Sequence, residues 1–304
     1  MGKLNLSVII LTYNEDLHIR RALENVKEIA DEIIIIDSFS TDKTLEIASE
    51  YENVKILQHK WENNYAKQLN WGLENASIKT KWVLRLDADE YLTPELISEL
   101  KERLPDVAED VTGISFKRRT YFMGKWMKKG VYPVVLLRLF QYGKGKCEQR
   151  LMDEHIQLFE GRDVTFDSDF VDDNLNDISW YCQKHINYAV REAGDLLDIE
   201  LGLTGEGKED ANIQLSAQAA AKRAKKHKYV KQPLFLRSFM YFLYRYLFKG
   251  AVFEGQKGFL FSFIQAWWYR TLVDIKVHEL KRDSGGNPEK IKELLTEKYK
   301  VTLK

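Results

Sequence analysis

The chain has 304 residues, 44% hydrophobic and 30% charged, enough to bury a sizeable core and too mixed for a disordered or membrane-spanning polypeptide. Its 46 Lys and Arg balance 46 Asp and Glu overall, but residues 222–257 hold ten Lys or Arg and one acid, so an acidic body is joined to a basic segment. Two cysteines, Cys147 and Cys182, form no CxxC pair and read as structural thiols; with no N-terminal secretory pattern, a cytoplasmic protein is expected.

Along the first hundred residues strand and helix patterns alternate. Ser7–Leu11, Ile33–Ile36, Val54–Leu57 and Trp82–Leu86 are short apolar runs of the kind that form buried strands. Between them Ile19–Val26, 44–50 and Tyr65–Asn75 have helical patterning. Thr93-Pro94-Glu95 then opens a helix with a hydroxyl cap, a proline in the first turn and an acid behind it. This alternation predicts an α/β domain with a mostly parallel sheet covered on both faces. From Gly113 it breaks down: Gly113–Tyr121 and Val134–Tyr142 look like strands, and Ser179–Ala193 like a helix. A polar, glycine-containing stretch, Leu201–Asp210, is the candidate linker, dividing a catalytic domain over 1–205 from a helical region over 206–304.

Ligands of parallel α/β sheets bind beyond the carboxyl ends of the strands. Residues 3–71 contain no glycine, which excludes the dinucleotide fingerprint and the P-loop, since both need glycine for backbone N–H groups to approach phosphate. Whatever binds is held mainly by side chains and by non-glycine backbone. Thr12-Tyr13-Asn14-Glu15 follows the first strand, Asp37 ends the second, and Asp87-Ala88-Asp89-Glu90 follows the fourth. Crowded carboxylates at strand ends need pairing, hydrogen bonds or a metal. In extended geometry Asp87 and Asp89 point the same way and suit a hard divalent cation with positions open to diphosphate oxygens.

These three clusters resemble the nucleotide half of inverting family 2 glycosyltransferases with the GT-A fold. The resemblance implies that Thr12, Asn14, Glu15 and Asp37 contact the nucleoside, that Asp87 lies near the ribose, and that Asp89 binds manganese or magnesium on the diphosphate. Tyr65-Ala66-Lys67-Gln68-Leu69-Asn70 resembles the helix facing the donor, with Lys67 where arginine is common. Val131-Tyr132-Pro133 and Arg138-Leu139-Phe140 look like an acceptor-side strand of lipopolysaccharide-core and exopolysaccharide members. Met152-Asp153-Glu154-His155 stands where the family places its catalytic acid pair, in the order Asp-Glu instead of Glu-Asp; Glu154 is the favoured base and Asp153 its substitute. Asp172-Asp173-Asn174 and Trp180…Lys184-His185 share the resemblance without an assigned role. The implied activity is transfer of a hexose from a nucleoside-diphosphate sugar, a UDP-sugar by expectation, to a lipid-linked or polysaccharide hydroxyl. A non-catalytic sugar-nucleotide sensor or scaffold is the competing class, and it would need no base.

Fourteen of the 37 aromatic residues lie between Phe235 and Tyr269. A helix over 233–249 would set Arg237, Tyr241, Arg245 and Lys249 on one arc, with Leu236, Phe239, Met240, Leu243, Tyr246 and Leu247 opposite. Rings opposite cations suit an interfacial helix on anionic lipid at the inner face of the cell membrane. A helix packed on the catalytic domain or on a second copy of the chain is the alternative. Nucleic acid fits less well, because the large apolar side chains do not interleave with the charges.

Overall fold

The four apolar runs pair as parallel strands, three of them largely buried on both faces and the edge run over Val54–Gln58 partly open to water. In the computed structural model, which describes residues 3–150, 152, 154–204 and 217–302 (without the side chains of 217–223), they are β1 (Leu6–Thr12), β2 (Glu32–Asp37), β3 (Val54–Gln58) and β4 (Trp82–Asp87). Their order is β3-β2-β1-β4. Helix α1 (Ile19–Val26) buries Ile19, Ala22, Leu23 and Val26 on one face of the sheet. After the short α2 (Thr44–Ala48), α3 (Tyr65–Asn75) covers the other face through Leu69 and Leu73. Gly72 lets α3 ride close: a Cβ there would lie 2.7 Å from Cγ1 of Ile36 on β2. Helix α4 (Pro94–Arg103) starts as the sequence spells it, with the Thr93 hydroxyl accepting from the Leu96 N–H at 3.2 Å.

The second half of the sheet is mixed. It adds β5 (Glu90–Leu92), β6 (Val111–Phe122) with its short partner β7 (Lys125–Trp126), β8 (Val134–Gln141) and β11 (Arg162–Asp172), in the order β4-β8-β6-β11-β5. A separate hairpin, β9 (Gly145–Cys147) with β10 (Ile156–Leu158), lies against α3, where Asn70 exchanges two hydrogen bonds with the Cys147 backbone. Only Ala88 and Asp89 separate β4 from β5, although three strands stand between them in sheet order. Two residues span less than about 10 Å beyond their neighbours, so the far edge must curl back over the end of β4. That curl turns a row of strand ends into a cleft.

The expected 205/206 division lies outside the described residues. Helix α5 (Ile178–Leu201) is longer than its pattern indicated and shares a core with the C-terminal helices α9 (Tyr269–Ser284) and α10 (Pro288–Tyr299), through Ala193, Leu196, Val273, Val277, Ile291 and Leu295. Between α6 (Ala217–Val230) and α9 the chain forms two packed helical pieces: α7 (Leu236–Leu243), continued by a π-turn over Tyr244–Phe248, and α8 (Gly255–Ser262), continued by another over Phe263–Trp268. Phe242 meets Phe259 and Trp267 across that pair.

Here the sequence expectation is corrected. Arg237 and Arg245, placed on a solvated polar arc by periodicity, are buried at 2% and 5% exposure. Arg237 donates from Nε to Asp274 Oδ1 at 2.8 Å and lies over the Tyr229 ring. Arg245 donates to the Gly130 carbonyl at 3.2 Å between Tyr241 and Phe261. The exposed face holds Leu236, Met240, Tyr244, Leu247 and Phe248 instead. Periodicity sorts the residues into two faces but does not say which face turns inward; buried Asp274 decides it by needing a cation. The side chains of Lys222 and Arg223, part of the expected basic segment, lie outside the described residues. Among the described residues no helix is long and apolar enough to cross a membrane.

Candidate active site

The parallel register brings the strand ends level. Thr12 is paired with Asp37, and Leu11 with both Ile36 and Asp87, so the clusters after β1, β2 and β4 share one rim. Asp37 is fully buried and accepts from the Thr12 hydroxyl (3.0 Å), the Ser40 N–H (2.9 Å), the Ser40 hydroxyl and Gln58 Nε2 (3.3 Å). Those bonds use its acceptor capacity to shape the 38–41 loop. Asn14, at φ 55°, ties in from β1: its N–H donates to Ser40 Oγ, and its Oδ1 accepts from the Thr41 N–H. Thr12, Asn14 and Asp37 therefore form one network. Glu15 faces another way. His18 Nε2 accepts from the Leu175 N–H, which leaves its proton on Nδ1 for Glu15 Oε2 at 2.7 Å. Burial raises the Glu15 carboxyl, the His18 hydrogen bond opposes this, and Asp89 adds to it.

The four residues from the end of β4 to the start of β5, Asp87 to Glu90, separate into distinct surroundings. Ala88 and Asp89 form a turn, so the expected extended alternation is replaced by a corner. Asp87 takes the Tyr65 hydroxyl on Oδ1 and lies 3.6 Å from Arg138 on Oδ2. Its burial raises the carboxyl, but Arg138, Arg85 and Tyr65 outweigh that and hold it well below the usual range. Glu90 accepts from Arg138 and from the Asp87 N–H; burial pushes its carboxyl up despite Arg138. Asp89 accepts from Asn174 Nδ2 at 2.9 Å on Oδ2, and its carbonyl is clamped by Arg21 and the Asp173 N–H, each at 3.1 Å. Asp87, Asp89 and Glu90 line a cleft of about 560 Å³ together with Arg118, Asp172, Asn174, Lys184 and Tyr188, closed by Phe261 and Gln265 of the C-terminal helices. Asp172 is paired with Arg118 at 3.4 Å, yet burial, with Asp89 adding, raises its carboxyl.

Thr12, Asn14, Glu15 and Asp37 stand on the rim without lining the cleft, and two further expected site residues, Lys67 and Glu154, fall elsewhere. Lys67 turns outward and pairs with Glu62 at 2.8 Å, both substantially exposed, while Tyr65 of the same helix reaches Asp87. Glu154 does not line the cleft; it lies within electrostatic reach of Arg85 and Cys147, and Arg85 Nε is 3.9 Å from Asp87 Oδ1. Asp153 lies outside the described residues. The loop carrying this pair is fastened by Asn64, which donates to the Arg150 carbonyl, and by Arg150, 3.1 Å from Asp195 on α5. Cys147 is buried, with its thiol pushed up to about 12, which fits an inert structural thiol.

Sequence reasoning left Arg118, Arg138, Asp172 and Lys184 without roles. The signal for Asp172 was an acid closing a β-strand, the same cue that marked Asp37 and Asp87. Nothing local marked Arg118, and Arg138 entered only as part of the acceptor-side resemblance, because both sit within strands and meet the acids only when the sheet curls.

Among the described residues no three His, Cys, Asp or Glu side chains converge as a preformed metal cage. Magnesium and manganese are commonly held by one or two carboxylates plus substrate phosphates, which needs no such cage. Asp89 fits that mode, since only its Oδ2 takes a side-chain hydrogen bond among the described residues.

Comparison with known proteins gives the context. The family model described as Glycosyl transferase family 2 matches residues 7–168. An uncharacterized glycosyltransferase of Rickettsia bellii is 42% identical over 96 residues, 32% of this chain and 31% of that protein. The lipopolysaccharide core biosynthesis glycosyltransferase LpsC of Rhizobium meliloti is 32% identical over 151 residues, 48% of this chain and 54% of that protein. The match thus spans about a third to a half of these relatives' length. Among solved structures, a Pyrobaculum calidifontis mannosyltransferase in complex with GDP-Man and Mn2+ aligns with a TM-score of 0.49 at 16% identity, covering 91% of this chain and 89% of that one. Matched by the family model over more than half of its length, and with its parallel strands ending at one acidic rim, the chain belongs to glycosyl transferase family 2 and has the GT-A fold.

Proposed function

We propose that the protein transfers a hexose from a nucleoside-diphosphate sugar to a hydroxyl of a lipid-linked or polysaccharide acceptor, with inversion, at the inner surface of the cell membrane. The observation that carries this reading is the carboxylate cluster of half-buried Asp87, Asp89 and Asp172 with buried Glu90, in a cleft at the carboxyl ends of parallel strands. The nucleoside lies along Thr12, Asn14, Glu15 and the loop that Asp37 organises. Asp87, kept ionised by Arg138, Arg85 and Tyr65, accepts hydrogen bonds from the ribose, and Asp89 is the carboxylate available to a divalent cation. A bound manganese or magnesium ion would neutralise charge on the departing diphosphate. The family resemblance assigns the base to Glu154, with Asp153 as substitute. Since Glu154 does not line the cleft, taking the proton of the attacking hydroxyl requires the acceptor to reach past the cleft or the loop carrying Glu154 to shift. A single displacement inverts the anomeric carbon.

Two features support a lipid-linked acceptor. The cleft is walled by Phe261 and Gln265 of the helices that turn their rings outward, and its rim at Met123 is tied to them by Lys257, which donates to the Met123 carbonyl at 2.7 Å. Phe248 and Phe253 stand 81% and 76% exposed, with Lys249 beside them in sequence and Lys129 over the Phe253 ring at 4.7 Å. Rings with lysines at their edge suit an anionic bilayer surface, the rings entering the acyl boundary and the ammonium groups meeting headgroup phosphates.

A thermal-shift panel of UDP- and GDP-sugars with manganese tests the donor side, because a ligand that binds only the folded state raises the apparent melting temperature. At least one nucleotide sugar is expected to stabilise the wild type, with the manganese-dependent part of the shift absent from Asp89→Asn. A panel with no stabilising member would overturn the reading.

A further inference from the structure

Among the described residues, only two side chains lining the cleft, Arg118 and Lys184, carry a full positive charge at neutral pH, and their circumstances differ. Arg118 is committed to Asp172 at 3.4 Å. Lys184 has no carboxylate within 4.0 Å among the described residues. It is held by rings instead: Trp180 and Tyr188, one helical turn to either side on α5, lie 4.8 and 5.8 Å from Nζ. The stripe Trp180, Lys184, Tyr188 faces the cleft, and the acids nearest in electrostatic terms are Asp89, Asp172 and Glu15. An ammonium steered by two rings and surrounded by acids that stop short of contact leaves its three donors for something else.

We propose that Lys184 binds the diphosphate of the donor from the α5 side of the cleft, so that part of the nucleotide affinity is independent of a divalent cation. The inference rests on the donor reading given above. The ligand chemistry is a diphosphate, an oxyanion group able to take several N–H bonds from one ammonium. A nucleotide fits better than a lipid diphosphate because the acids around Lys184 belong to the ends of β1, β4 and β11, the rim that also holds the Asn14 and Asp37 network. Lys184 is thereby a donor-binding residue on α5, the helix that shares a core with the C-terminal helices. Next to it on α5, His185 Nδ1 meets the Tyr181 carbonyl, and Gln265 Nε2 reaches both the Tyr181 hydroxyl (2.6 Å) and His185 Nε2 (3.2 Å).

The test is calorimetric titration of the full chain with UDP, GDP and farnesyl diphosphate, in EDTA and in manganese, for wild type, Lys184→Met and Lys184→Arg. In EDTA the wild type should bind UDP or GDP measurably, and Lys184→Met should weaken that binding at least about tenfold, as expected for one lost charge-assisted hydrogen bond. Lys184→Arg should stay within about threefold of wild type, which a purely structural role for the lysine stem would not produce. Equal binding by wild type and Lys184→Met in EDTA overturns the proposal. Nucleotide binding by the wild type only with manganese overturns it too, while leaving the donor reading intact. A loss confined to farnesyl diphosphate reassigns the ammonium to the acceptor and overturns it as stated. If no nucleotide binds under any condition, the donor reading fails and the proposal falls with it.

Discussion

The strand-end cleft and the α7–α8 pair are built in opposite senses. In the cleft, apolar strands lie beneath and charged groups gather at their ends, each acid answered by an arginine, a hydroxyl or an amide. In the helical pair the arginines lie inside, against Asp274 and the Gly130 carbonyl, while Leu236, Met240, Leu247, Phe248 and Phe253 face out. The first arrangement suits a polar ligand arriving from water. The second leaves apolar surface in water, which is unfavourable unless something apolar covers it. The two regions thus present surfaces of opposite character, and the cleft lies where they meet.

The contrast breaks first at Arg237. If it is an inward cation, Arg237→Leu strands Asp274 and should cost about 3–5 kcal/mol in denaturant unfolding. Lys249→Leu, at an exposed cation in the next turns, should stay within about 0.5 kcal/mol. Equal effects from the two would place Arg237 on the surface and remove the inversion.

The next test sharpens the chemistry on the cleft side. Glu154→Gln keeps shape but cannot take a proton, so turnover should fall by about a hundredfold or more with donor affinity nearly unchanged. Asp153→Asn is the comparison. A large loss only in the Asp153 variant moves the base to that residue, and a loss in neither rules out the base assignment.

The smallest expected effect is at the outward rings. The protein should sediment with anionic liposomes, less at high salt and little with neutral ones. Replacing Phe248 and Phe253 together by Ser should weaken that partition at least about tenfold, since each buried ring is worth roughly 1.5–3 kcal/mol. Donor binding should survive. A wild type that ignores anionic liposomes but dimerises through this face would give the rings to a second copy of the chain.

Much of the cleft was legible before the fold was known. Parallel strands bury both faces, so their runs are continuously apolar and their ends are sharp, and Asp37, Asp87 and Asp89 stand at those ends. Thr93-Pro94 marked a helix start for equally local reasons. Lys67 was expected on the donor side by resemblance; in the structure it turns outward to Glu62, and Tyr65 of the same helix reaches Asp87 instead. Glu154 was found by resemblance, and its position beside Arg85 instead of within the cleft comes from how the β9–β10 hairpin packs on α3.

What the sequence by itself determined is therefore what depends on neighbours along the chain: the strands, the helix caps, the absence of a glycine-rich phosphate loop, and the row of acids at the strand ends. Tertiary structure decided the rest. Arg118 and Arg138 meet Asp172, Glu90 and Asp87 only because the sheet curls back over a two-residue corner. The arginine face of α7 turns inward only because Asp274, 37 positions after Arg237, is buried and needs a counter-charge. Hydrophobic periodicity is a property of one helix, whereas the choice of which face to bury depends on what the other helices leave unpaired.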